Sequence, residues 1–340
     1  MIKKIFFSIV NFIKFCVTNV KRLPSMISEW LNRTKHDFSS LHRSLKNIVT
    51  TNLNLGIYHM YKSNYNDAIL RFKMINLLLE PANKAAYYWL GWTYFLKNER
   101  KKAIDSLTEA EDEDQVSLLN FIESIDDITH VPTQIRDMHR NITAEIFSTN
   151  FINDKMSLPK ELISTLSNNM GDLPEKYKIL DLGSNIGLLG YEIEKRMPVT
   201  QEVAAVEMSE DMIKLQDIYF PQHNFYNSTL CLPVDDFLEQ NKQKYDVICS
   251  LNGLTFNADL QNTFDKVYYH LQENGYFAFS VRQSKEYSFF NQTMEFAYDH
   301  DQLKAKLEQS GFIILSDSKF TLEIKNNYSI FVSQKLNNKD

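Results

Sequence analysis

The first 22 residues carry an amphipathic pattern. At roughly 100° per residue, their lysine, asparagine and hydroxyl side chains share one arc, and most of their large apolar side chains share the other. Asn11, Lys14 and Asn19 interrupt the apolar run, which is therefore shorter than the roughly 18–20 residues that cross a bilayer. The pattern predicts a basic amphipathic N-terminal helix over residues 1–22. Such a helix either lies in a membrane interface or packs on the next helices. The third interpretation of residues 1–22 is an export signal.

Residues 49–115 contain a helical pattern that occurs twice. Leu55-Gly56 and Leu90-Gly91 lie 35 residues apart, and each glycine is followed by an alanine twelve residues later and by an apolar side chain four residues after that. These positions are Ala68, Phe72, Ala103 and Leu107. The spacing predicts helix pairs that approach closely at the glycines, with the alanines facing them. The pattern resembles the tetratricopeptide repeat, a helix–turn–helix unit of about 34 residues; a generic amphipathic bundle is the alternative.

The segments on either side of this pair are expected to complete a helical domain. Repeats of fewer than about three units need caps or partners, so residues 23–48 and Gln115–Ile128 are predicted to supply flanking helices. The helical domain then covers residues 23–130, with a domain boundary within Thr129–Asn141, where periodicity is lost. Because a concave repeat surface suits extended peptides, we expect a protein partner on these helices.

Residues 140–337 change to short apolar runs that alternate with helical patterns, which is typical of a mostly parallel sheet. Strands are predicted at Tyr177–Leu182, Glu202–Met208, Tyr245–Leu251 and Gly275–Val281, and helices at Leu188–Arg196, Asp211–Ile218 and Phe264–Gln272. The end differs: Gly311–Ser316, Phe320–Ile324 and Tyr328–Gln334 are predicted as strands joined partly by a hairpin. The fold class is therefore α + α/β, with N-terminal helical repeats followed by a doubly wound, Rossmann-like sheet that ends in an antiparallel hairpin.

Glycines mark a candidate ligand site in the second domain. Only nine glycines occur in 340 residues, and three of them, Gly183, Gly187 and Gly190, lie between a predicted strand and a predicted helix. Glycines there let the backbone turn tightly and leave space for a ligand beside the helix N-terminus. Glu207 ends the next predicted strand, where a carboxylate can accept both hydroxyls of a ribose. The two features together predict a nucleotide-like ligand.

Four segments of the second domain resemble the class I S-adenosylmethionine-dependent methyltransferases. They are I-L-D-L-G-S-N-I-G-L-L-G (179–190), A-V-E-M-S-E-D-M (205–212), Y-D-V-I-C-S-L-N-G-L (245–254) and E-N-G-Y-F-A-F-S-V (273–281). Over residues 50–337 the chain resembles bacterial predicted methyltransferases that contain tetratricopeptide repeats. The resemblance implies a methyltransferase domain over residues 140–337, with S-adenosyl-L-methionine as its cofactor.

The resemblance also implies roles for individual residues. The methionine moiety of the cofactor would be held by Asp181 and by the backbone of Gly183, Ser184, Asn185 and Gly187. Glu207 would bind the ribose, Met208 would lie against the adenine, and Asp235 or Asp236 would meet the adenine amino group. Asn252 would face the sulfonium and the methyl acceptor.

Two positions depart from the family pattern, since members commonly have glycine where Asn185 stands and an acid where Asn252 stands. Asparagine tolerates left-handed backbone angles, so Asn185 is compatible with a formed loop. The departures leave open a catalytically silent domain on a repeat-based protein-binding scaffold. A nicotinamide dehydrogenase is the enzymatic rival, because Asn185-x-Gly187-x-x-Gly190 lacks only the first glycine of the dinucleotide motif; the terminal hairpin disfavours it.

No catalytic residue is assigned from the sequence. A sulfonium carries an activated methyl group, so a methyltransferase needs positioning and a desolvated cavity rather than a nucleophile. A general base is needed only if the acceptor loses a proton. Tyr298 and His300 are candidates on the acceptor side, and a surface tyrosine and histidine at a helix start are the alternative. No residue spacing predicts a metal site.

The charge distribution and the cysteines limit partners and location. Residues 1–50 carry nine basic and two acidic residues, whereas the whole chain has a net charge of −6. The basic end suits an anionic membrane surface, and the acidic remainder argues against nucleic-acid binding, which depends on clustered Lys and Arg. Three distant cysteines give no disulfide framework, so the sequence predicts a cytoplasmic protein, peripheral to the membrane if residues 1–22 contact lipid.

Overall fold

The computed structural model describes residues 48–111, 113–140, 157–171, 176–197, 202–286, 288–322 and 327–336. They form two units, one of residues 48–95 and 99–115 and one of residues 96–98 together with those from 116 onward. The predicted amphipathic helix at residues 1–22 lies outside the described residues. The segment 129–141, predicted as a domain boundary, falls within the second unit as far as it is described.

The first unit is helical. Its helices are α1 (residues 48–61), α2 (Tyr65–Met74, continued by a π-helical turn at Ile75–Leu79), α3 (Lys84–Leu96) and α4 (Arg100–Thr108). Helix α5 (Glu113–Glu123) begins at the end of this unit. Within the part of the chain that the structure describes, no helix combines the length and apolar character needed to cross a bilayer.

Two glycines of the helical unit sit at close approaches between helices, as predicted. A Cβ atom added to Gly56 would lie 2.5 Å from Phe72 Cε1, and one added to Gly91 would lie 2.5 Å from Leu107 Cγ. The residues that meet the glycines are thus the apolar side chains sixteen positions later, which are longer than the alanines expected to face them. Ala68 and Ala103 are themselves fully buried. Both helix pairs therefore share one packing arrangement.

The second unit contains the sheet and the helices around it. Before the sheet come α6 (residues 133–140) and α7 (Ser157–Asn169). The sheet elements are β1 (Lys178–Leu182), α8 (Leu188–Arg196), β2 (Glu202–Glu207), α9 (Glu210–Tyr219), β3 (Ser228–Cys231), α10 (Val234–Gln240), β4 (Tyr245–Leu251), α11 (Gln261–His270), β5 (Leu271–Arg282), α12 (His300–Gln309), β8 (Phe312–Thr321) and β9 (Asn327–Lys335). A separate ribbon consists of β6 (Ser288–Phe290) and β7 (Glu295–Ala297).

The sheet has the order β3-β2-β1-β4-β5-β9-β8. Strands β1 to β5 pair in parallel, and β9 is antiparallel to both of its neighbours, β5 and β8. The predicted parallel sheet with an antiparallel terminal hairpin is therefore confirmed. The last strands differ in detail, because β8 is one continuous strand whose pairing shifts between Ile314 and Ser316, where the sequence suggested two separate runs.

The strand order reverses between β1 and β4, and this reversal positions the site. In open α/β sheets, ligands bind beyond the carboxyl ends of the strands at such a switch point. The loops after β1 and β4 meet there: a Cβ atom on Gly183 would lie 2.5 Å from Gly253 Cα. Neither position has room for a side chain, so glycine at both lets the two strand ends meet.

Candidate cofactor site

A narrow cleft lies at the carboxyl ends of β1, β2 and β4. The residues that line it are Arg136, Arg140, Gly183, Glu207, Met208, Val234, Asp235, Gly253, Leu254, Phe256, Asn257 and Thr263. Four residues predicted for the cofactor are among them: Gly183, Glu207, Met208 and Asp235. Of the other predicted residues, Asp181 lies near the end of β1, three lie in the loop that follows it, and Asn252 follows β4.

The loop between β1 and α8 is held by its glycines and by β2. Gly183 and Gly187 have φ angles of +75° and +85°, in the left-handed region that favours glycine. The backbone N–H groups of Gly183 and Ser184 donate to the carbonyl oxygen of Val206 at 2.9 and 3.0 Å. The loop is thereby fixed to the end of β2, directly before Glu207.

Asn185 occupies this loop in the left-handed conformation that asparagine tolerates, with φ +50°. Its side-chain Nδ2 donates to the carbonyl oxygen of Gly183 at 2.8 Å. Its Oδ1 accepts a hydrogen bond from Arg140 Nη1 at 2.6 Å. Its Nδ2 also donates to the carbonyl oxygen of Leu251 at 3.4 Å. Asparagine thus makes three side-chain hydrogen bonds that a glycine at this position could not make.

Glu207 is buried at the end of β2, with 2% of its surface exposed. Its Oε2 accepts from the backbone N–H of Asn185 at 2.9 Å, and its Oε1 accepts from the backbone N–H of Ser209 at 3.0 Å. A carboxylate oxygen can accept more than one hydrogen bond. The carboxylate is therefore oriented by two amides and retains capacity to accept from a ligand in the cleft.

Asp181 lies beneath the glycine loop and is fully buried. Burial raises the pKa of its carboxyl group to about 7. Tyr226 donates its hydroxyl hydrogen to Oδ2 at 2.5 Å, whereas Oδ1 has no hydrogen-bond partner among the described residues. Tyr226, which also accepts from the backbone N–H of Gly190 at 3.2 Å, was not predicted, since an aromatic residue before a strand carries no specific signal.

The expected adenine side is formed by Met208 and by the start of α10. Met208 is half-buried and lines the cleft. Asp235 accepts from Asn257 Nδ2 at 3.2 and 3.3 Å and lies 3.7 Å from Arg136 Nη1. Asp236, the alternative for the adenine amino group, is exposed and is not among the residues that line the cleft.

Asn252 lies at the end of β4 with φ +55°. Its Oδ1 accepts from Ser280 Oγ at 3.1 Å, and its backbone N–H donates to the Ser280 carbonyl at 3.0 Å. The side chain is thus held on β5, and the neighbouring Gly253 and Leu254 line the cleft instead. Its predicted position toward the methyl acceptor stays a prediction.

Two cleft residues, Arg136 and Arg140, come from α6, within the segment that the sequence analysis treated as a boundary. Both are buried, with 7% and 6% of their surface exposed, and each Cζ lies 5.2 Å from the centroid of the Phe256 ring. Their i, i+4 spacing, which places them on one helix face, was the available signal. It is a weak one, since basic residues at this spacing occur on many solvated helices.

The chain around α6 is fixed to the loop after β4. Residues 129–131 pair with this loop through Ala258 N–H to Thr129 O at 2.7 Å and Val131 N–H to Phe256 O at 2.9 Å. At the other end, His139 Nε2 donates to the carbonyl oxygen of Gln292 at 3.1 Å. Helix α6 therefore forms a wall of the cleft and is part of the sheet-containing unit.

The two acceptor-side candidates are buried rather than on the surface. Tyr298 donates its hydroxyl hydrogen to the Asn257 carbonyl at 2.5 Å. His300 pairs its Nδ1 with Ser329 Oγ at 2.9 Å and stacks on Phe331 with ring centroids 4.7 Å apart. Neither lines the cleft, so both contacts support the fold. Among the described ranges, no three His, Cys, Asp or Glu side chains come together as metal ligands.

Comparison with known proteins bears on the same region. Two solved structures are similar: phosphoethanolamine N-methyltransferase 2 of Haemonchus contortus in complex with phosphomonomethylethanolamine and S-adenosylhomocysteine (12% identity, 61% of each chain covered, TM-score 0.48), and an S-adenosylmethionine-dependent methyltransferase from Clostridium acetobutylicum (17% identity, 58% of this chain and 99% of that one, TM-score 0.44). The chain thus spans about 61% of the length of the Haemonchus protein.

A family model gives the assignment. No functionally curated protein matches this chain significantly. Residues 173–323 match the model described as a methyltransferase domain, and this range contains the glycine loop, Glu207, Asp235 and the loop after β4. Residues 173–323 of this chain therefore resemble a methyltransferase domain.

Proposed function

We propose that this protein is a class I S-adenosylmethionine-dependent methyltransferase. The observation that carries the proposal is the position of Glu207. Its buried carboxylate ends β2, is bonded to the backbone of the glycine loop, and lines one cleft with Met208 and Asp235. These groups are suited to a ribose, an adenine ring and an adenine amino group, in that order along the sheet edge.

The buried polar atoms fit such a cofactor. Glu207 would accept the ribose hydroxyls with the lone pairs that the amides of Asn185 and Ser209 leave available. Asp181, with one oxygen lacking a partner among the described residues, would attract the ammonium group of the methionine moiety. Bound S-adenosylmethionine would supply an activated methyl group, and the chain would supply orientation and exclusion of water.

The geometry of Asn185 favours cofactor binding over a silent scaffold. Its left-handed backbone and its bond to the Gly183 carbonyl are compatible with a formed loop, so the replacement of the usual glycine does not disrupt the site. In the proposed site Asn252 would face the methyl acceptor, as the resemblance to the family implies. The neutral side chain there bears on which acceptor is methylated rather than on cofactor affinity.

Calorimetric titration of S-adenosylmethionine and S-adenosylhomocysteine tests the proposal. We expect micromolar binding, about −8 kcal/mol, that Glu207→Ala abolishes and that Glu207→Gln, which keeps the shape of the side chain, weakens at least tenfold. Glu210→Ala, which removes an exposed carboxylate three residues later, is the matched control and should bind normally. A folded wild-type protein that binds neither ligand would contradict the proposal.

We also propose that the helical unit is a tetratricopeptide-like repeat that presents a protein acceptor. The equivalent contacts Gly56–Phe72 and Gly91–Leu107, 35 residues apart, support the repeat. An exposed apolar surface supports a partner, because Leu70, Leu77 and Leu78 on α2 and its π-helical turn are 66–76% exposed. Large apolar side chains that stay this exposed are available for a partner to cover.

The basic segment 1–22 is proposed to bring a cytoplasmic enzyme to an anionic membrane surface. Its charge and its amphipathic pattern support this role. Co-sedimentation with anionic vesicles compares the intact protein with one that starts at residue 23, and the intact protein should sediment with the vesicles to a greater extent. Equal sedimentation would assign residues 1–22 to packing on the protein itself.

A further inference from the structure

The two arginines of α6 lie near opposite ends of the cleft. Arg136 lies beside Asp235, at the end proposed for the adenine. Arg140 lies beside Asn185, at the end proposed for the methionine moiety. The residues are one helical turn apart and both are more than nine-tenths buried, so their charges act in a medium where ionic interactions are stronger than in water.

The two ends of the proposed ligand call for different protein groups, because only one of them is charged. On the proposed function, the adenosine end of the ligand is uncharged and the methionine end carries a carboxylate. A guanidinium has five N–H donors in a planar fork that matches a carboxylate in a bidentate manner. Arg140 directs one of these donors to Asn185 Oδ1, and this bond fixes the guanidinium over the glycine loop.

We infer that Arg140 binds the carboxylate of the cofactor's methionine moiety, an assignment that rests on the proposed function. Arg136, whose Nη1 lies 3.7 Å from Asp235 Oδ2, is a positioning residue in this arrangement, because the adenosine end of the ligand carries no charge for it to bind. The Asn185 side chain then has a purpose that glycine could not serve: it holds Arg140 in place. The stacking of both guanidiniums on Phe256 restricts them further.

Decarboxylated S-adenosylmethionine is the probe for this assignment, since it lacks only the carboxylate. Its affinity and that of S-adenosylmethionine are measured by calorimetry for the full-length wild type, Arg140→Gln, Arg140→Lys and Arg136→Gln. We expect Arg140→Gln to weaken S-adenosylmethionine at least tenfold and to change the decarboxylated ligand less than twofold. Arg140→Lys, which keeps the charge but not the fork, should lose less, and Arg136→Gln should weaken both ligands by the same factor.

Three outcomes would overturn the inference. Equal losses for the two ligands in Arg140→Gln would make Arg140 a packing residue, and unchanged affinity for S-adenosylmethionine would assign it to another ligand. In either case the wild type still binds the cofactor, so the proposed function stands. A wild type that binds neither ligand overturns the proposed function and the inference together. Thermal unfolding of each variant separates lost binding from lost folding, and Arg140→Lys gives the comparison if Arg140→Gln fails to fold.

Discussion

At the scale of single residues, the candidate site is made of charged groups that the fold has removed from water. Asp181, Glu207, Arg136 and Arg140 are all buried, and burial of charge is costly unless hydrogen bonds or opposite charges compensate it. Glu207 is compensated by two backbone amides. Asp181 is compensated by a single tyrosine hydroxyl, and burial raises the pKa of its carboxyl group to about 7.

Asp181 should make the stability of the protein depend on pH. Its folded-state pKa of about 7 exceeds the ordinary value of 3.8, so between these values the folded state binds more protons than the unfolded state. The free energy of unfolding should consequently fall as pH rises from about 4 to about 7, with a slope of at most about 1.4 kcal/mol per pH unit from this group. Asp181→Asn removes this contribution, so the stability of the variant relative to wild type should increase across that range.

Urea denaturation at pH 5 and pH 8 measures the effect. Asp217→Asn, which removes an exposed carboxylate from α9, is the control for the change in net charge. A stability difference between Asp181→Asn and wild type that is the same at both pH values would show that the carboxyl group is ionised throughout.

At the scale of elements, the sequence predicts best where local pattern and tertiary environment agree. Strand β4 and helix α8 have their predicted bounds, because β4 is a mostly apolar and mostly buried run and α8 begins directly after the glycine loop. The edge strand β3 has three exposed residues of four, so no apolar run marks it. Continuity of β8 depends on its pairing with β9, which links residues distant in sequence.

The same division applies to the site. The motif residues could be predicted because glycines and an acid at strand ends form short sequence patterns that local backbone geometry explains. Tyr226 and Arg140 could not, since each bonds to a residue 45 positions away in the sequence, Asp181 and Asn185 respectively. Arg136 could not either, since its acidic neighbour Asp235 is still more distant along the chain. Helix α6 shows no motif of its own, and its function in the cleft follows from the pairing of residues 129–131 with the loop after β4.

At the scale of the whole molecule, a helical unit accompanies a domain that matches a methyltransferase family model, and the fold does not select an acceptor. If the helices present a protein, radiolabel from methyl-labelled S-adenosylmethionine should enter the protein fraction of a cell extract. The double variant Leu77→Glu/Leu78→Glu should reduce this labelling severalfold while S-adenosylhomocysteine binding stays unchanged.

Ile218→Glu, which changes an exposed apolar residue on α9, is the matched control for added surface charge. Label found only in the small-molecule or lipid fraction would contradict a protein acceptor. If the double variant labels protein as strongly as the wild type does, this apolar surface takes no part in acceptor recognition.

The positions of α6 and β9 in the fold determine which part of the chain could be moved intact into another protein. The family model covers residues 173–323, yet β9, at Asn327–Lys335, lies between β5 and β8 inside the sheet, and α6 supplies a wall of the cleft. A gene fragment cut at the limits of the family model would encode a sheet with a missing interior strand and a cleft open on one side. The unit that recombination or protein engineering can move intact therefore starts near residue 116 and extends through β9.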